Sequence, residues 1–399
     1  MWNLAVISLV LLSFVLGMCE FIMIGIVPNV AESLGVSMTE AGMLISWFAL
    51  TYAISAPILS VWGSRFNRYR LLLCLTGAYA VGNGAAMLAD SYVLLLADRL
   101  FLAALSGVML AVSTTFAPDI ADRKYLPTVM AWVFAGFSIA AVLGVPIGTL
   151  AAQYVNWQWI FLFIAIVCAA DGVLMAKTLP KGGSDRELVS LREQVSLLGD
   201  RRILLGMGTA MAALAGNYTW YAYVTPLLGE VMGISPGGVS LFLFLFGAMT
   251  IVSNLASGKV AAMGGMYILW PILAVETGVL LLLQLMIHEV WAALVLLLIQ
   301  GILLYIYNSS IQIYFLHISN LFHPGTLLMA GALLPMAANF GISIGTAVGS
   351  VTVEAAGLSM TPTPSILLMA LSSFLSWYLM RPERQRLQRI SYHHGNPEA

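Results

Sequence analysis

The stretch NLAVISLVLLSFVLGMCEFIMIGIV, residues 3–27, decides how this chain folds. It holds one ionisable side chain, Glu20, and its apolar residues run on without the alternation of a half-buried strand. A bilayer core about 30 Å thick requires roughly 20 apolar residues in a helix, and lipid admits only helices or closed barrels. The chain of 399 residues keeps this character throughout, being 60% hydrophobic and 9% charged. We therefore predict an all-α polytopic membrane protein.

Eleven further apolar runs follow the first one, and the longest polar interval separates the sixth run from the seventh. This spacing predicts two six-helix bundles, residues 1–180 and 203–380. A cytoplasmic linker at 181–202, able to form an amphipathic surface helix, joins them, and a cytoplasmic tail follows at 381–399. Windows of about 19 residues place the twelve transmembrane helices at 3–27, 41–61, 71–88, 92–114, 126–151, 159–179, 203–224, 237–257, 266–287, 290–312, 326–349 and 365–379.

The basic residues lie on one side of the predicted membrane. With an even number of spans both termini share a side, and the loops and ends on that side hold every Lys and Arg except Arg99, which lies inside the fourth span. Cytoplasmic loops carry the excess of Lys and Arg in membrane proteins. We therefore expect a multi-pass protein of the inner or plasma membrane with both termini in the cytoplasm.

Two short segments repeat each other about half a chain apart. PNVAESLGVS at 28–37 ends the first span and PLLGEVMGIS at 226–235 ends the seventh, and both read Pro, six residues, Gly, a β-branched residue, Ser. Gly144 and Gly148 of the fifth span match Gly341 and Gly345 of the eleventh at nearly the same offset. Parallel repeats of this kind are typical of transporters that bind substrate near the bilayer midplane, between the repeats.

Glu20 and Arg99 are the most informative ionisable residues inside the spans. Isolated charge there costs about 2.5 kcal/mol or more, so such a residue is a functional hypothesis by default. At about 1.5 Å of rise per residue the two lie at similar depth, which permits an ion pair or a shared water cavity. A carboxylate near an arginine can exchange a proton; the alternative is a Glu that only fixes helix packing. Asp171 is interpreted as solvated near a helix end, and Glu276 is left open between cavity and packing.

The seventh span contains AGNYTWYAYVTP at 215–226, in which Asn217, Trp220 and Tyr221 share a face and Tyr218 takes the place of Glu20 in the repeat. Aromatic rings with polar edges suit a cavity that binds flat or amphipathic solutes. Uncharged polar side chains in later spans could line the same cavity or only hold helices together. The candidate substrate-binding residues are Asn217, Trp220, Tyr221, Gln300, Asn308 and Asn339.

Several classes of function are disfavoured by composition and missing motifs. A net charge of −1 and the absence of a basic patch outside the cytoplasmic loops argue against nucleic acid as a partner. The three cysteines lie inside apolar runs, which indicates neither a disulfide framework nor a metal cluster. The sequence contains no GxxxxGK[ST] and no HExxH motif. We expect no metal, no cofactor and no enzymatic activity.

Four motifs resemble those of the major facilitator superfamily, and within it the twelve-span drug:proton antiporters that include sugar-efflux, nucleoside-efflux and chloramphenicol-export proteins. GMCEFIMIGIVPNVAESLGVS at 17–37 is similar to their first-span signature, and SRFNRYR at 64–70 to the loop between spans two and three. DRL at 98–100 and GVPIG at 144–148 resemble the start of the fourth-span motif and the fifth-span antiporter motif. The resemblance implies the major facilitator fold and a part for Arg99 in proton coupling. It also implies a conformational role for Arg65, Arg68, Gly144, Pro146 and Gly148.

Together these features predict a proton-coupled secondary active transporter that exports small organic solutes, such as a drug, a sugar or a nucleoside, by alternating access. Glu20 would take up the proton, and Arg99 would tune its proton affinity. The expected partners are the solute, protons and membrane lipid, and a monomer suffices for this architecture. The alternatives are a facilitator or importer of a small metabolite, a lipid-handling protein on the same fold, or a membrane receptor.

Overall fold

A computed structural model describes residues 4–63, 66–121, 126–181, 197–323 and 327–394. Nearly all of these residues are helical, and none of them forms a strand. The first six long segments are α1 Leu4–Leu34, α2 Met38–Gly63, α3 Arg68–Ala86, α4 Tyr92–Thr114, α5 Leu126–Ile139 continued by Ala140–Gly144 and Val145–Tyr154, and α6 Gln158–Thr178. The next six are α7 Arg201–Tyr221, α8 Pro236–Met263, α9 Met266–Leu285, α10 Val290–Leu303 continued by Asn308–Phe322, α11 Leu327–Ala356, and α12 Pro362–His394.

These segments confirm the predicted all-α membrane fold. Within the described ranges, nine helical segments are long and apolar enough to cross a membrane, and α2, α3 and α7 fall outside that group. For α7 the reason is visible in its sequence, since it is rich in Gly, Ala and polar residues and packs against α11 and α12. The predicted surface helix of the linker lies mostly at 182–196, outside the described residues.

Several helices run past the predicted spans. α10 continues to Phe322, α11 to Ala356 and α12 to His394, so the predicted cytoplasmic tail begins inside a helix. A hydropathy window finds only the residues that lie in the apolar core of the bilayer. A helix can extend beyond that core into the polar interface as long as its backbone stays hydrogen-bonded. The sequence therefore placed the helices correctly and made several of them too short.

The repeated segments at 28–37 and 226–235 end in the same backbone turn. Gly35 and Gly233 have φ of 64° and 67°, the left-handed conformation that glycine adopts without steric cost. The serine two residues later then begins the next helix: the Ser37 hydroxyl accepts from the Glu40 backbone N–H at 3.1 Å, and Ser235 caps α8 by accepting from Gly238. The repeat motif is thus a glycine turn followed by a serine cap.

The helix pairs α1–α5 and α7–α11 pack in equivalent ways in the two halves. A Cβ atom added to Gly136 would lie 2.6 Å from the Val10 carbonyl oxygen of α1, and one added to Gly341 would lie 2.7 Å from the Met211 carbonyl oxygen of α7. Glycine lets the backbones of both pairs approach closely, as small residues do in membrane helix interfaces. Both halves therefore use a close glycine contact between these helices, at Gly136 in α5 and at Gly341 in α11. The sequence match of Gly341 is Gly144, which lies against the Met18 side chain instead of the backbone.

The two halves meet through α2 with α11 and α5 with α8. We call the end of the bundle where α1 begins and α12 ends the terminal face, and the other end the opposite face. In the described part of the chain, the hydrogen bonds that link the halves lie towards the opposite face: Ser46 Oγ donates to the Ser343 carbonyl oxygen at 2.7 Å, and Thr225 Oγ1 donates to the Ile24 carbonyl oxygen at 2.9 Å. Gln153 Nε2 also donates to the Pro236 carbonyl oxygen at 3.1 Å.

α5 contains a π-helical turn, Ala140–Gly144, directly before Pro146. Proline has no N–H to donate, and its ring clashes with the carbonyl four residues earlier, here that of Val142. Widening the helix by one residue over this turn relieves both problems, which is a recognised cause of helix irregularity. The GVPIG motif therefore places a local distortion in a helix that contacts the other half.

Candidate functional site

Glu20 and Arg99 lie close together without a direct ion pair between them in the described residues. Arg99 is fully buried, and its Nη1 donates to the Cys19 carbonyl oxygen at 2.6 Å and to Cys19 Sγ at 3.3 Å. Its guanidinium carbon lies 4.1 Å from the centre of the Phe48 ring, a cation–π arrangement. Arg99 thus acts on the Glu20 carboxylate electrostatically, while its hydrogen bonds go to the residue before Glu20.

Three tyrosines, one from the first half and two from the second, lie within electrostatic range of the Glu20 carboxylate. Tyr52 of α2, Tyr218 of α7 and Tyr305, in the turn that interrupts α10, each interact electrostatically with it. The Tyr218 and Tyr305 side chains also interact with each other. Glu20 itself keeps 9% of its surface exposed, whereas Arg99 keeps none. The acid therefore lies at the boundary between the halves, within electrostatic range of its own counterpart in the sequence repeat, Tyr218.

The aromatic residues of α7 form a cluster with α8. The Tyr221 ring stacks on Phe246 with centroids 4.9 Å apart, and the Trp220 ring meets both edge-on, at 5.7 Å from Tyr221 and 5.8 Å from Phe246. Trp220 is completely buried, so in this conformation it presents no surface to a cavity, and Tyr221 is 6% exposed. Of the two aromatic residues predicted to contact substrate, only Tyr221 keeps accessible surface.

Asn217 and Gln300, both predicted to bind substrate, contact Glu276 in this conformation. Asn217 Nδ2 donates to Glu276 Oε1 at 2.8 Å, and Gln300 Nε2 donates to the Glu276 backbone carbonyl at 3.3 Å. All three side chains are fully buried, so in this conformation the two amides do not line an accessible cavity. They hold a carboxyl group whose other oxygen has no partner among the described residues. This contact could not be predicted from the sequence, because it depends on the relative rotation of α7, α9 and α10.

The other two predicted substrate residues differ in exposure. Asn308 is half-buried at the start of the second part of α10, and its Nδ2 reaches Asn254 Oδ1 of α8 at 3.4 Å, a long hydrogen bond. Asn339 Nδ2 donates to the Pro335 carbonyl of its own helix at 3.1 Å, and its Oδ1 has no partner in the described part of the chain. Both keep hydrogen-bonding capacity.

Asp171 is not solvated, contrary to the interpretation from its sequence position. It is 1% exposed, and neither carboxylate oxygen has a hydrogen-bond partner among the described residues. The residue faces α3, since the neighbouring Cys168 thiol donates to the Thr76 carbonyl oxygen at 3.5 Å. Distance from a helix end was a poor guide here because α6 continues to Thr178 and packs along α3.

Arg68 fixes the loop after α2 to the end of α4. It forms an ion pair with Asp119, and its Nη1 donates to the Thr115 carbonyl oxygen at 2.6 Å. The guanidinium carbon lies 4.5 Å from the centre of the Phe116 ring. These partners belong to the first half, so the contacts of Arg68 stabilise that half from within. Arg65, its companion in the motif, lies outside the described residues.

Asp200 anchors the beginning of α7 at the terminal face. Its carboxylate accepts from Arg202 Nη2 at 2.7 Å and from the Arg202 backbone N–H at 2.8 Å, and it lies 3.1 Å from His323 Nε2 at the end of α10. The side-chain hydrogen bond from Arg202 is the main reason why the pKa of Asp200 lies well below its usual range. This cluster ties the first turn of the second half to the loop before α11.

The protein consists of two six-helix bundles that are linked by hydrogen bonds towards one face and have an acid at their boundary. This architecture is that of a secondary transporter. Comparison with known sequences identifies the family. The chain belongs to the Major Facilitator Superfamily, whose family description matches residues 9–320.

Individual relatives and structures agree with this assignment. The uncharacterised major-facilitator-type transporter YtbD of Bacillus subtilis is 29% identical over 387 residues, covering 96% of this chain and 97% of YtbD. A chloramphenicol resistance protein of Streptomyces lividans is 28% identical and covers 84% of this chain and 86% of its own length.

Solved transporters share the fold at low identity. An inward-facing bacterial homologue of the human lysosomal transporter Spinster superimposes with a TM-score of 0.74 at 16% identity, covering 94% of this chain and 96% of that one. A D-xylose–proton symporter gives 0.70 at 14% identity, covering 93% and 96%.

Proposed function

We propose that the chain is a proton-coupled secondary active transporter that exports small organic solutes by alternating access. The observation that carries the proposal is the position of Glu20 at the boundary of the two halves. Arg99 and Tyr52 act on it from the first half, and Tyr218 and Tyr305 from the second. A rigid-body movement of one half against the other would change two of these neighbours and leave the others in place. The proton affinity of Glu20 would then differ between the two conformations, as coupling requires.

The contacts between the halves suit alternating access. Among the described residues, the linking hydrogen bonds lie towards the opposite face and are few and neutral, so they can break when the halves rock. Because the Lys and Arg residues gather towards the terminal face, we place that face and both termini in the cytoplasm. The conformation described here would then be closed towards the outside.

We propose that the candidate substrate-binding residues have two different roles. Tyr221 and Asn308 keep accessible surface and would contact the solute. Asn217 and Gln300 would not touch the solute. Their hydrogen bonds to Glu276 would hold α9 against α7 and α10. Trp220 would support Tyr221 through their ring contact, and Asn339 would present its unpartnered oxygen when α11 moves.

Export is favoured by the relative from Streptomyces lividans, which is named for chloramphenicol resistance. An importer is the second candidate, because a D-xylose–proton symporter shares the fold. Accumulation of radiolabelled chloramphenicol in inverted membrane vesicles separates the two. An energised exporter fills inverted vesicles, whereas an importer does so only in right-side-out vesicles.

The proton role of Glu20 is tested by reconstituting Glu20→Gln in proteoliposomes. We expect transport driven by a proton gradient to be lost while exchange of labelled for unlabelled solute continues, because exchange needs no net proton movement. Glu32→Gln is the matched control, since Glu32 is exposed at the end of the same helix and should leave both activities intact. Driven transport that survives in Glu20→Gln would show the proton role to be wrong.

A further inference from the structure

A groove on the membrane-facing side of the second half lies between α9 and α12, away from the boundary that holds Glu20. Its volume is about 550 Å³, within the range of sites that bind small molecules. Small residues leave the space, and aromatic rings from both helices flank it. The residues that define it are Trp270, Ala274, Ala370, Ser373, Phe374 and Trp377.

The groove is apolar despite the hydroxyl groups in its lining. Ser373 Oγ donates to the Trp270 carbonyl oxygen at 2.8 Å and so joins α12 to α9, and Thr277 Oγ1 donates to the Leu273 carbonyl oxygen of its own helix at 2.8 Å. Both hydroxyl protons are therefore used by the protein backbone. What remains at the surface suits a hydrocarbon chain better than a polar solute.

Positive charge lies at the end of the groove near the terminal face. Arg381, one helical turn after Trp377, is exposed, and its guanidinium carbon lies 5.3 Å from the centre of the Trp377 ring. Arg201 at the start of α7 donates to the Tyr378 hydroxyl at 2.8 Å. Among the described residues neither arginine forms an ion pair with a carboxylate. Two guanidinium groups thus remain available for an anion just beyond an apolar groove.

We propose that this groove binds an anionic phospholipid of the adjacent leaflet, with an acyl chain between α9 and α12 and the headgroup phosphate at Arg381 and Arg201. Arginine binds phosphate through paired, charge-assisted hydrogen bonds. Tryptophan rings sit by preference at the depth of the lipid headgroups, and basic pockets between transmembrane helices recognise anionic headgroups. The site is independent of proton coupling and of the direction of transport.

Lipid titration of the detergent-solubilised full-length protein, followed by native mass spectrometry, tests the proposal. Phosphatidylglycerol should bind more tightly than phosphatidylcholine of the same acyl chains. A basic residue near a lipid surface contributes about 1 kcal/mol, so Arg381→Gln should weaken phosphatidylglycerol binding about fivefold. It should weaken phosphatidylcholine binding less, because the choline group already neutralises the phosphate of that lipid. Ala370→Phe, which fills the groove, should weaken both lipids.

Arg70→Gln is the matched control, because Arg70 is an exposed arginine in the first half, far from the groove in the sequence and in a different bundle. It should bind phosphatidylglycerol as the unaltered protein does. The proposal is overturned if the two lipids bind equally, if Arg70→Gln weakens binding as much as Arg381→Gln, or if inorganic phosphate at equal ionic strength displaces the lipid. If Ala370→Phe fails to fold, the comparison of Arg381→Gln with Arg70→Gln still tests whether the groove binds the anionic lipid.

Discussion

The close contact between α7 and α11 predicts a large effect from a single methyl group at Gly345. A Cβ atom there would lie 2.8 Å from the Cα atom of Ala215 and closer still to its carbonyl oxygen, while ordinary van der Waals contact begins at 3.4 Å. The obstacle is backbone of a neighbouring helix, so it cannot rotate aside, and the two helices must separate by more than about half an ångström. Overpacking of this kind costs about 1–3 kcal/mol.

The assay is unfolding of purified Gly345→Ala in detergent micelles, with Gly331→Ala as the control in the same helix. A Cβ atom at Gly331 meets nothing within 4 Å, so this variant should be as stable as the unaltered protein. Gly148→Ala, at the matching position of the first half, should lose less than Gly345→Ala, because its obstacle is the flexible end of the Ile22 side chain. Equal stability of Gly345→Ala and Gly331→Ala would refute the reasoning about backbone contact.

Two further predictions concern polar clusters. Asn217→Ala removes the amide donor that lies 2.8 Å from the fully buried Glu276 carboxyl group. It should therefore lower the free energy of unfolding by about 1–3 kcal/mol. A variant that unfolds like the unaltered protein yet transports poorly would contradict this prediction and support direct contact between Asn217 and the solute. Asp200→Asn should lower stability by about 1 kcal/mol at neutral pH, because it removes the charge that Arg202 and His323 hold at the start of α7. The folded-state pKa of Asp200 is depressed. Its contribution to the free energy of unfolding is therefore present above the usual aspartate pKa of about 3.9 and declines as the pH falls below that value. The stabilities of Asp200→Asn and of the unaltered protein should thus converge in strong acid.

The parts of the fold that depend on local sequence could be predicted. Apolar runs located the helices, and the repeated Gly-x-Ser segments located the turns before α2 and α8, since a left-handed glycine and a serine cap are local requirements. The interruption of α10 at 304–307 gave no such signal, because it falls among apolar and aromatic residues. One backbone N–H of this buried segment is bonded from another helix: the Tyr305 N–H donates to Ser253 Oγ at 2.9 Å.

The site was predicted only as far as depth and repeat position determine it. Glu20 and Arg99 interact electrostatically, as their similar depth permitted. The repeat made Tyr218 the counterpart of Glu20 but did not predict that the two lie within electrostatic range of each other. Depth does not fix the rotation of a helix about its axis, so the hydrogen bond from Arg99 to the Cys19 carbonyl could not be foreseen. The same limit applies to Asn217, which faces Glu276 of α9.

The measurement that tests proton-coupled export most directly is the proton movement that accompanies solute flux. Proteoliposomes containing the protein and an internal pH-sensitive dye are given an outward gradient of chloramphenicol at zero membrane potential. We expect the internal pH to fall as the solute leaves, because protons enter through Glu20 in exchange, and we expect Glu20→Gln to show no such acidification. Solute efflux without any pH change, or with a rise of the internal pH, would contradict proton-coupled export.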